Sequence, residues 1–443
     1  MKKYLYILSF VAFTISLKAQ EKTMKLSLEE AINFALENSY NTKAAKNDIA
    51  SANQKVWETT TIGLPQIDAK VDYQNFLKQP ISVADINGDG IDEEFVFGTK
   101  QNVNASVTLR QLLFDGSYLV GLQSAKTFLK ISKQAEEKTE LLTREAVINA
   151  YGNVLVAESS IAVLERNIKI LQKNYNDAKK IYENGLNEEE DVEQLEITLG
   201  SLKNQLNSVT RLEGIAYQML NLSLGNPINT NLILTDSLDS LAIQNMNLNL
   251  ISKEFNVNNH IDFKIAENNR EGNRLMVKLE QSKALPTLST FINYGSQAFS
   301  DSFTFLNGNQ RWFDSSLLGV SLNVPIFSSF GRKSRTAQAK IALETADLRL
   351  EETRQRLSLQ AEKAKNDYQL SIENYQTSKK NVGLSERIEK KQRIKFFEGI
   401  SSSFDLLQAQ NQLYTQQQNY IQAMLDVISN KATLENALNL PIK

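Results

Sequence analysis

Residues 66–74 read Gln66-Ile67-Asp68-Ala69-Lys70-Val71-Asp72-Tyr73-Gln74, and their hydrophobic period is two. In an extended chain Ile67, Ala69, Val71 and Tyr73 face one way, and Asp68, Lys70, Asp72 and Gln74 face the other. The alternation returns at Val103, Ala105, Val107 and Leu109, set against Asn102, Asn104, Ser106 and Thr108. It returns again at Leu288, Thr290, Ile292 and Tyr294, and at Leu318, Val320, Leu322 and Val324. These are four half-polar strands of about ten residues, a length that suits tilted membrane β-strands. Four strands cannot close a barrel, for which about eight is the minimum. An open sheet in lipid would leave two rows of unpaired backbone groups. The pattern therefore predicts that several copies share one barrel, and three copies give twelve strands. The other reading is a soluble periplasmic coiled-coil protein with two β-hairpins and no pore. It gives the aromatics around the strands (Tyr73, Phe76, Phe95, Phe97, Phe291, Tyr294, Trp312, Phe313) no special role.

Long helical patterns follow the strands. No proline occurs between Pro80 and Pro227 or between Pro325 and Pro441. Residues 117–183 form a stretch of 67 with Gly121 and Gly152 as its weak points, a rod of about 100 Å at helical rise. Its second half carries a heptad seam, Val147, Ala150, Val154, Ala157, Ile161, Leu164, Ile168, Leu171, Tyr175, Ala178 and Tyr182. After a turn at Asn184-Gly185, a return helix continues the spacing with Val192, Leu195, Leu199, Leu202, Leu206 and Val209. Residues 332–438 repeat this order with a turn at Glu398-Gly399. Their seam is weaker, because Ser371, Ser378, Ser385 and Glu389 fall on it, and polar residues there suit a helix facing water.

The chain is internally duplicated. Lys43, Ala45, Asn47, Leu64 and Pro65 recur 221 residues later as Lys264, Ala266, Asn268, Leu285 and Pro286. Gly116, Gly185 and Pro227 recur after 215, 214 and 214 residues as Gly331, Gly399 and Pro441, which puts an insertion between residues 65 and 116. The expected organisation is a signal peptide over 1–19, a first repeat over 20–224, a linker over 225–259 and a second repeat over 260–443. The first repeat contains a helix opening at Ser27 and running to about Ile62, a hairpin over 66–115, a long helix over 117–183 and a return helix over 188–224. The second contains a helix, a hairpin over 287–327, a long helix over 332–397 and a return helix over 403–438. The fold class expected is an α+β membrane protein.

Met1-Lys2-Lys3, an apolar run from Tyr4 to Leu17 and Lys18-Ala19-Gln20 read as a secretory signal with cleavage after Ala19. Beyond residue 20 no stretch is read as apolar enough for a transmembrane helix, so membrane insertion requires a β-barrel.

The 49 basic and 51 acidic side chains nearly cancel, which argues against nucleic acid as a partner. The absence of Cys removes disulfides, thiolate metal sites, Cys nucleophiles and Cys lipidation. The one histidine, His260, is read as an ordinary surface or belt residue. No phosphate loop, G-x-S-x-G or H-E-x-x-H is present. Neither an enzyme nor a cofactor is expected. Asp85, Asn87 and Asp89 sit in a stretch that resembles a calcium loop, but Val96 occupies the position of its bidentate carboxylate. Asn-Gly and Asp-Gly there also suit a solvated external turn.

The sequence resembles the TolC-like outer membrane efflux and secretion proteins over essentially the whole mature chain. Leu28-Glu29-Glu30-Ala31-Ile32 with Ala35-Leu36, the two Leu-Pro pairs and Leu113-Phe114-Asp115-Gly116 carry the resemblance. Its most specific segment is Gly399-Ile400-Ser401-Ser402-Ser403-Phe404-Asp405-Leu406-Leu407-Gln408-Ala409-Gln410. The resemblance implies a homotrimer in the outer membrane with a large periplasmic portion: a twelve-stranded barrel, a helical tube and a mixed equatorial belt. Its function would be a passive exit duct of a tripartite efflux or type I secretion system. Its partners would be outer membrane lipid, a periplasmic adaptor docking on the helical tips and an inner-membrane transporter. Gly185, Leu186 and Asn187, with Gly399, Ile400 and Ser401, would be the docking tips. Asp191 and Asp405, each six residues after a turn Gly, would lie near the periplasmic constriction with Gln408. Ser401 and Phe396 stand where well-known members carry Arg and Tyr that help close the mouth. A cap on the return helix is the other reading of Asp405. The run Glu188–Glu193 reads as a solvated helix start or as part of a negative mouth. A water-filled duct carries little binding chemistry, so drug, metal and protein cargo all stay open.

Overall fold

A computed structural model describes residues 23–85, 88, 90, 92–186 and 188–440. The proposed signal peptide and Pro441 lie outside the described residues. In chain order the elements are β1 (Met24–Leu26), α1 (Leu28–Asn38), α2 (Tyr40–Thr61), β2 (Gln66–Asn75), β3 (Ile81–Ala84), β4 (Glu93–Val96), β5 (Gln101–Phe114), α3 (Gly116–Glu183) and α4 (Glu189–Leu224). They continue as β6 (Leu232–Leu234), α5 (Leu238–Gln244), α6 (Ile261–Ser282), β7 (Thr287–Ser300), β8 (Phe313–Asn323), α7 (Gly331–Phe397) and α8 (Ser403–Ala437). Single 3-10 turns at Leu248–Leu250 and Val257–Asn259 lie between α5 and α6. The chain forms two compact units. One takes residues up to Asp48, Gln134–Ile265 and those from Glu351 on; the other takes Ile49–Lys133 and Ala266–Leu350.

The second unit holds a four-stranded antiparallel sheet in the order β2-β5-β7-β8. Register pairs Ala69 with Val107, Val107 with Tyr294, and Ile292 with Leu318, so the apolar residues of all four strands share one face. Much of that face is uncovered within the chain; Val71 and Val320 are 70% and 67% exposed. The other face carries hydrogen-bonded polar groups. Arg110 reaches Asp68 at 2.7 Å, and Asn293 Nδ2 donates to Thr108 Oγ1 at 2.7 Å. On this face the Phe291 ring lies over Gly319, where a Cβ would meet it at 2.4 Å. The insertion between β2 and β5 is more than a turn. It pairs β3 with β4, Ile81 opposite Val96 and Ala84 opposite Glu93.

The first unit is a packed helical body. Ala31, Ala35, Tyr151, Leu220, Leu224, Tyr368 and Leu434 belong to its larger core. Two buried tyrosines tie the linker to that core. Tyr151 OH donates to Asp236 Oδ2 at 2.9 Å and lies 3.1 Å from the Leu26 carbonyl, while Leu28 N–H donates to the same carboxylate oxygen at 2.7 Å. Tyr368 OH donates to the Asn245 carbonyl at 2.6 Å and accepts Asn247 N–H at 2.7 Å. β1 and β6 pair in parallel, Met24 with Leu232 and Leu26 with Leu234. A second cluster joins Leu164, Leu171 and Ala178 of α3 to Val192, Leu195, Leu199 and Leu202 of α4, with Phe396 and Leu406.

Three expectations need correction. The helix drawn from Ser27 to about Ile62 is two helices, because Ser39 leaves helical geometry with ψ 150° and its Oγ accepts Thr42 N–H at 3.3 Å, opening α2. Ser371, Ser385 and Glu389 do not face water; they are buried, and Ser371 Oγ donates to the Tyr368 carbonyl at 2.7 Å. α3 does contain an 18-residue window apolar enough to cross a membrane by length and composition. That window is 56% buried, as the core helix of a folded body requires.

Candidate functional site

Both helical turns of the first unit are built alike. At the first, Gly185 N–H donates to the Tyr182 carbonyl at 2.7 Å and Leu186 N–H to the Ile181 carbonyl at 3.1 Å. At the second, Gly399 N–H donates to the Phe396 carbonyl at 3.1 Å and Ile400 N–H to the Lys395 carbonyl at 2.8 Å. This paired bond pattern is the Schellman termination, which needs a left-handed residue after the helix cap. Gly185 and Gly399 supply it with φ of 73° and 69°. Each turn thereby presents the next side chain outward: Leu186 is 79% exposed and Ile400 73%. Asn187 lies outside the described residues.

The two return helices start differently. Ser402 caps α8: its Oγ accepts Asp405 N–H at 3.3 Å, and Asp405 Oδ2 accepts from Ser402 N–H at 3.3 Å and from Ser402 Oγ at 2.9 Å. This is a reciprocal capping box, which satisfies backbone donors that a helix start leaves open. Glu188, the N-cap of α4, makes no side-chain cap bond. Asp191 holds the same third position of its helix as Asp405 and is half-buried, whereas Asp405 and Gln408 are exposed. The starts of α4 and α8 meet where Ser403 Oγ donates to Gln194 Oε1 at 3.3 Å.

Between these starts and the core, α3 and α8 are joined by polar groups. Asn167 Nδ2 donates to Gln417 Oε1 at 2.8 Å. One heptad along each helix, Asn174 Nδ2 and both polar atoms of Gln410 are buried without a partner, as is Ser401 Oγ. Phe396 is buried against the α3–α4 cluster. Glu389 lies 3.8 Å from Arg393, and burial, then the Glu389 charge, holds the Tyr414 phenol well above its usual proton affinity.

In the β3–β4 hairpin, Asp85 is occupied by backbone: Gly88 N–H donates to Oδ1 at 2.7 Å and Gly90 N–H to Oδ2 at 2.8 Å. Asn87 and Asp89 lie outside the described residues, among which no cluster of carboxylates, His or Cys could hold a metal ion. His260 is buried rather than on the surface.

The contribution of Ser402 was the part sequence reasoning passed over, although Ser402-Ser403-Phe404-Asp405 carries the S-x-x-acid capping signature. The burial of Gln410 left no such signal, because it depends on which helix lies opposite.

The sequence matches the family described as outer membrane efflux protein over residues 31–226 and 257–440. No curated protein matches it. Several solved structures share the fold. The outer membrane protein VceC from Vibrio cholerae aligns with a TM-score of 0.72 at 15% identity, covering 93% of this chain and 95% of its own. CusC aligns at 0.74 and 16% identity, covering 96% of this chain and 95% of its own. The open state of the Neisseria gonorrhoeae MtrE outer membrane channel aligns at 0.70 and 18% identity, covering 93% and 88%.

Proposed function

Because the chain belongs to the outer membrane efflux protein family, it is an outer membrane transport channel with a large periplasmic portion and not an enzyme, and we propose that three copies assemble into one passive exit duct. The observation that carries this reading is the uncovered apolar face of a sheet whose two edges, β2 and β8, run in opposite directions. Such edges can pair antiparallel from copy to copy, and three copies close a barrel of twelve strands with no free edge. A second copy would also cover the stripe of Leu212, Ile215, Met219 and Leu222 on α4, each more than half exposed and spaced three and four apart. The poreless coiled-coil reading falls with the family assignment.

The order strand pair, long helix, turn, return helix occurs twice, and the shared bond pattern at Gly185 and Gly399 supports reading residues 20–224 and 260–443 as tandem repeats. Leu186 and Ile400, exposed at matching positions with Phe404 beside the second, support docking of a periplasmic adaptor, and through it an inner-membrane pump, on these turns. Asp191, Asp405 and Gln408 would line the constriction. Capping and charge are compatible at Asp405, since both bonds from Ser402 go to Oδ2 and leave Oδ1 out of the cap.

The absence of native Cys makes a direct test clean. Cysteines introduced along the two edges, such as Val71→Cys with Leu318→Cys and neighbouring register pairs, should link copies into trimers in the membrane under oxidation. Monomer throughout the register scan, with a detergent particle of one chain, overturns the assembly.

A further inference from the structure

His260 is 7% exposed and stands where the chain enters α6. Its Nδ1 accepts the backbone N–H of Asp262 at 3.1 Å, the bond an N-cap side chain makes. The backbone carbonyl of Asn436, near the end of α8, faces the ring and favours a proton on it. That carbonyl accepts Asn439 N–H at 2.9 Å, and Leu440 N–H donates to the Glu435 carbonyl at 2.9 Å, so α8 ends in its own Schellman termination. Asn439, at φ 50°, returns the contact: its Oδ1 accepts Ile261 N–H at 3.0 Å. The start of α6 and the end of α8 thus cap each other. The neutral tautomer with Nδ1 bare and Nε2 protonated satisfies the Asp262 bond and turns a proton, not a lone pair, to the other side of the ring.

We propose that this joint is an acid-released switch: protonation of His260 places an N–H on Nδ1 against the N–H of Asp262, and the start of α6 lets go of the end of α8. Two donors then confront each other, and a positive charge sits at a helix N-terminus, where the backbone dipole opposes it. The joint borders a cavity of about 390 Å³. α3 brings Lys138 and Glu145 to it; Lys138 is paired with Asp262 of α6 at 2.7 Å, and Glu145 accepts Thr433 Oγ1 at 2.7 Å and Asn436 Nδ2 at 2.6 Å. α7 brings Lys363 and Asp367, and the charge of Arg356 is also felt at the ring. From α8 come Thr433, Asn436 and Ala437, none ionisable.

Burial lowers the proton affinity of His260 below its ordinary value of 6.5; Lys138 and Arg356 add to this, and Asp262 and the Asn436 carbonyl oppose it. The folded chain therefore prefers the neutral ring, and on acidification the open form takes up its proton first. The contribution of the joint is complete above the ordinary value and declines as pH falls toward the lower folded value. This switch is independent of the gate residues, because it turns on contacts within the first unit alone.

The test uses the full-length protein in detergent with its histidine ¹³C/¹⁵N-labelled. One ring gives one signal, so its tautomer and titration midpoint are read without assignment. Amide hydrogen exchange over residues 261–264, corrected for intrinsic rates, is followed between about pH 8 and about pH 5. The expected result is the Nε2-protonated tautomer at neutral pH and a midpoint below 6.5. Protection at Asp262 should fall by about tenfold per pH unit between the ordinary and folded midpoints. His260→Gln, which can accept and donate but does not titrate, should flatten that dependence. A midpoint at or above the ordinary value, the Nδ1-protonated tautomer, or an unchanged pH profile in His260→Gln overturns the proposal. Should His260→Gln fail to fold, the wild-type ring titration decides by itself.

Discussion

Leu171, Leu195 and Leu406 of the helical unit are completely buried, whereas Val71, Leu318 and Val320 of the sheet unit are 67–70% exposed. The residue types are alike, so hydrophobicity does not separate the two regions; the medium each was selected against does. In the helical unit water drives the side chains together, as the α3–α4 cluster shows. Most of the sheet's apolar face has no such partner among the described residues, apart from one end where Val103 and Tyr73 meet Phe305, yet the polar groups of the opposite face are bonded to one another. A surface of that kind in water would aggregate. In the proposed shared barrel, lipid would cover it and neighbouring strands would satisfy the edge backbone groups.

The largest effect should come from cavities. Leu171→Ala or Leu195→Ala should cost about 2–5 kcal/mol in thermal or denaturant unfolding. Leu318→Ala should cost only about 0.5 kcal/mol, because lipid or detergent fills the space left. Equal losses at the two sites would break the comparison. Charge should sharpen it next. Val320→Arg on the apolar face should lose about 2–4 kcal/mol, seen as depletion of assembled protein from the outer membrane. Ser321→Arg, on the other face, should assemble nearly as wild type does.

Smaller effects are expected at the turns. Gly399→Val forces a β-branched residue into the left-handed region at a cost of about 1–2 kcal/mol. Capture of a periplasmic adaptor by cross-linking at the turn should fall while the amount of oligomer in the membrane holds; undiminished capture would detach the turns from docking. Ser402→Ala should remove about 1 kcal/mol of helix capping, measured as a lowered melting temperature. Asp405→Asn keeps an acceptor for Ser402 but discards the charge. Single-channel recordings should show weaker cation selectivity with the melting temperature unchanged. Lost stability with unchanged selectivity would leave Asp405 as a cap alone.

The four sheet strands were legible because one face of each is apolar and the period of two is unmistakable at Ile67–Tyr73. The α3–α4 seam was legible for the same reason, in its own period. β3 and β4 span four residues each, too few to display a period between Asp- and Gly-rich turns. The break at Ser39 was hidden because the alanine spacing of Ala31, Ala35 and Ala45 carries across it. At the candidate site, glycine chemistry gave away both turns, and the Ser402–Asp405 spacing could have given away the cap. The burial of Ser385, Glu389 and Gln410 could not be read, since it is imposed by the helices opposite. Nor could the place of His260, whose partners arrive from α8, far along the chain.

The parallel ribbon of β1 and β6 bears on how the chain comes to be made. Leu28 and the Asp236 carboxylate it bonds are separated by 208 residues, and Tyr151 joins them from between. A chain delivered from its N-terminus holds Met24–Leu26 unpaired until Leu232–Leu234 has emerged. Over that interval the loop to be closed is long and its entropy must be overcome before any of these bonds is gained. The strand Met24–Leu26 is therefore a late-locking piece of the fold, and the Tyr151 hydroxyl is where its bonds to the linker converge.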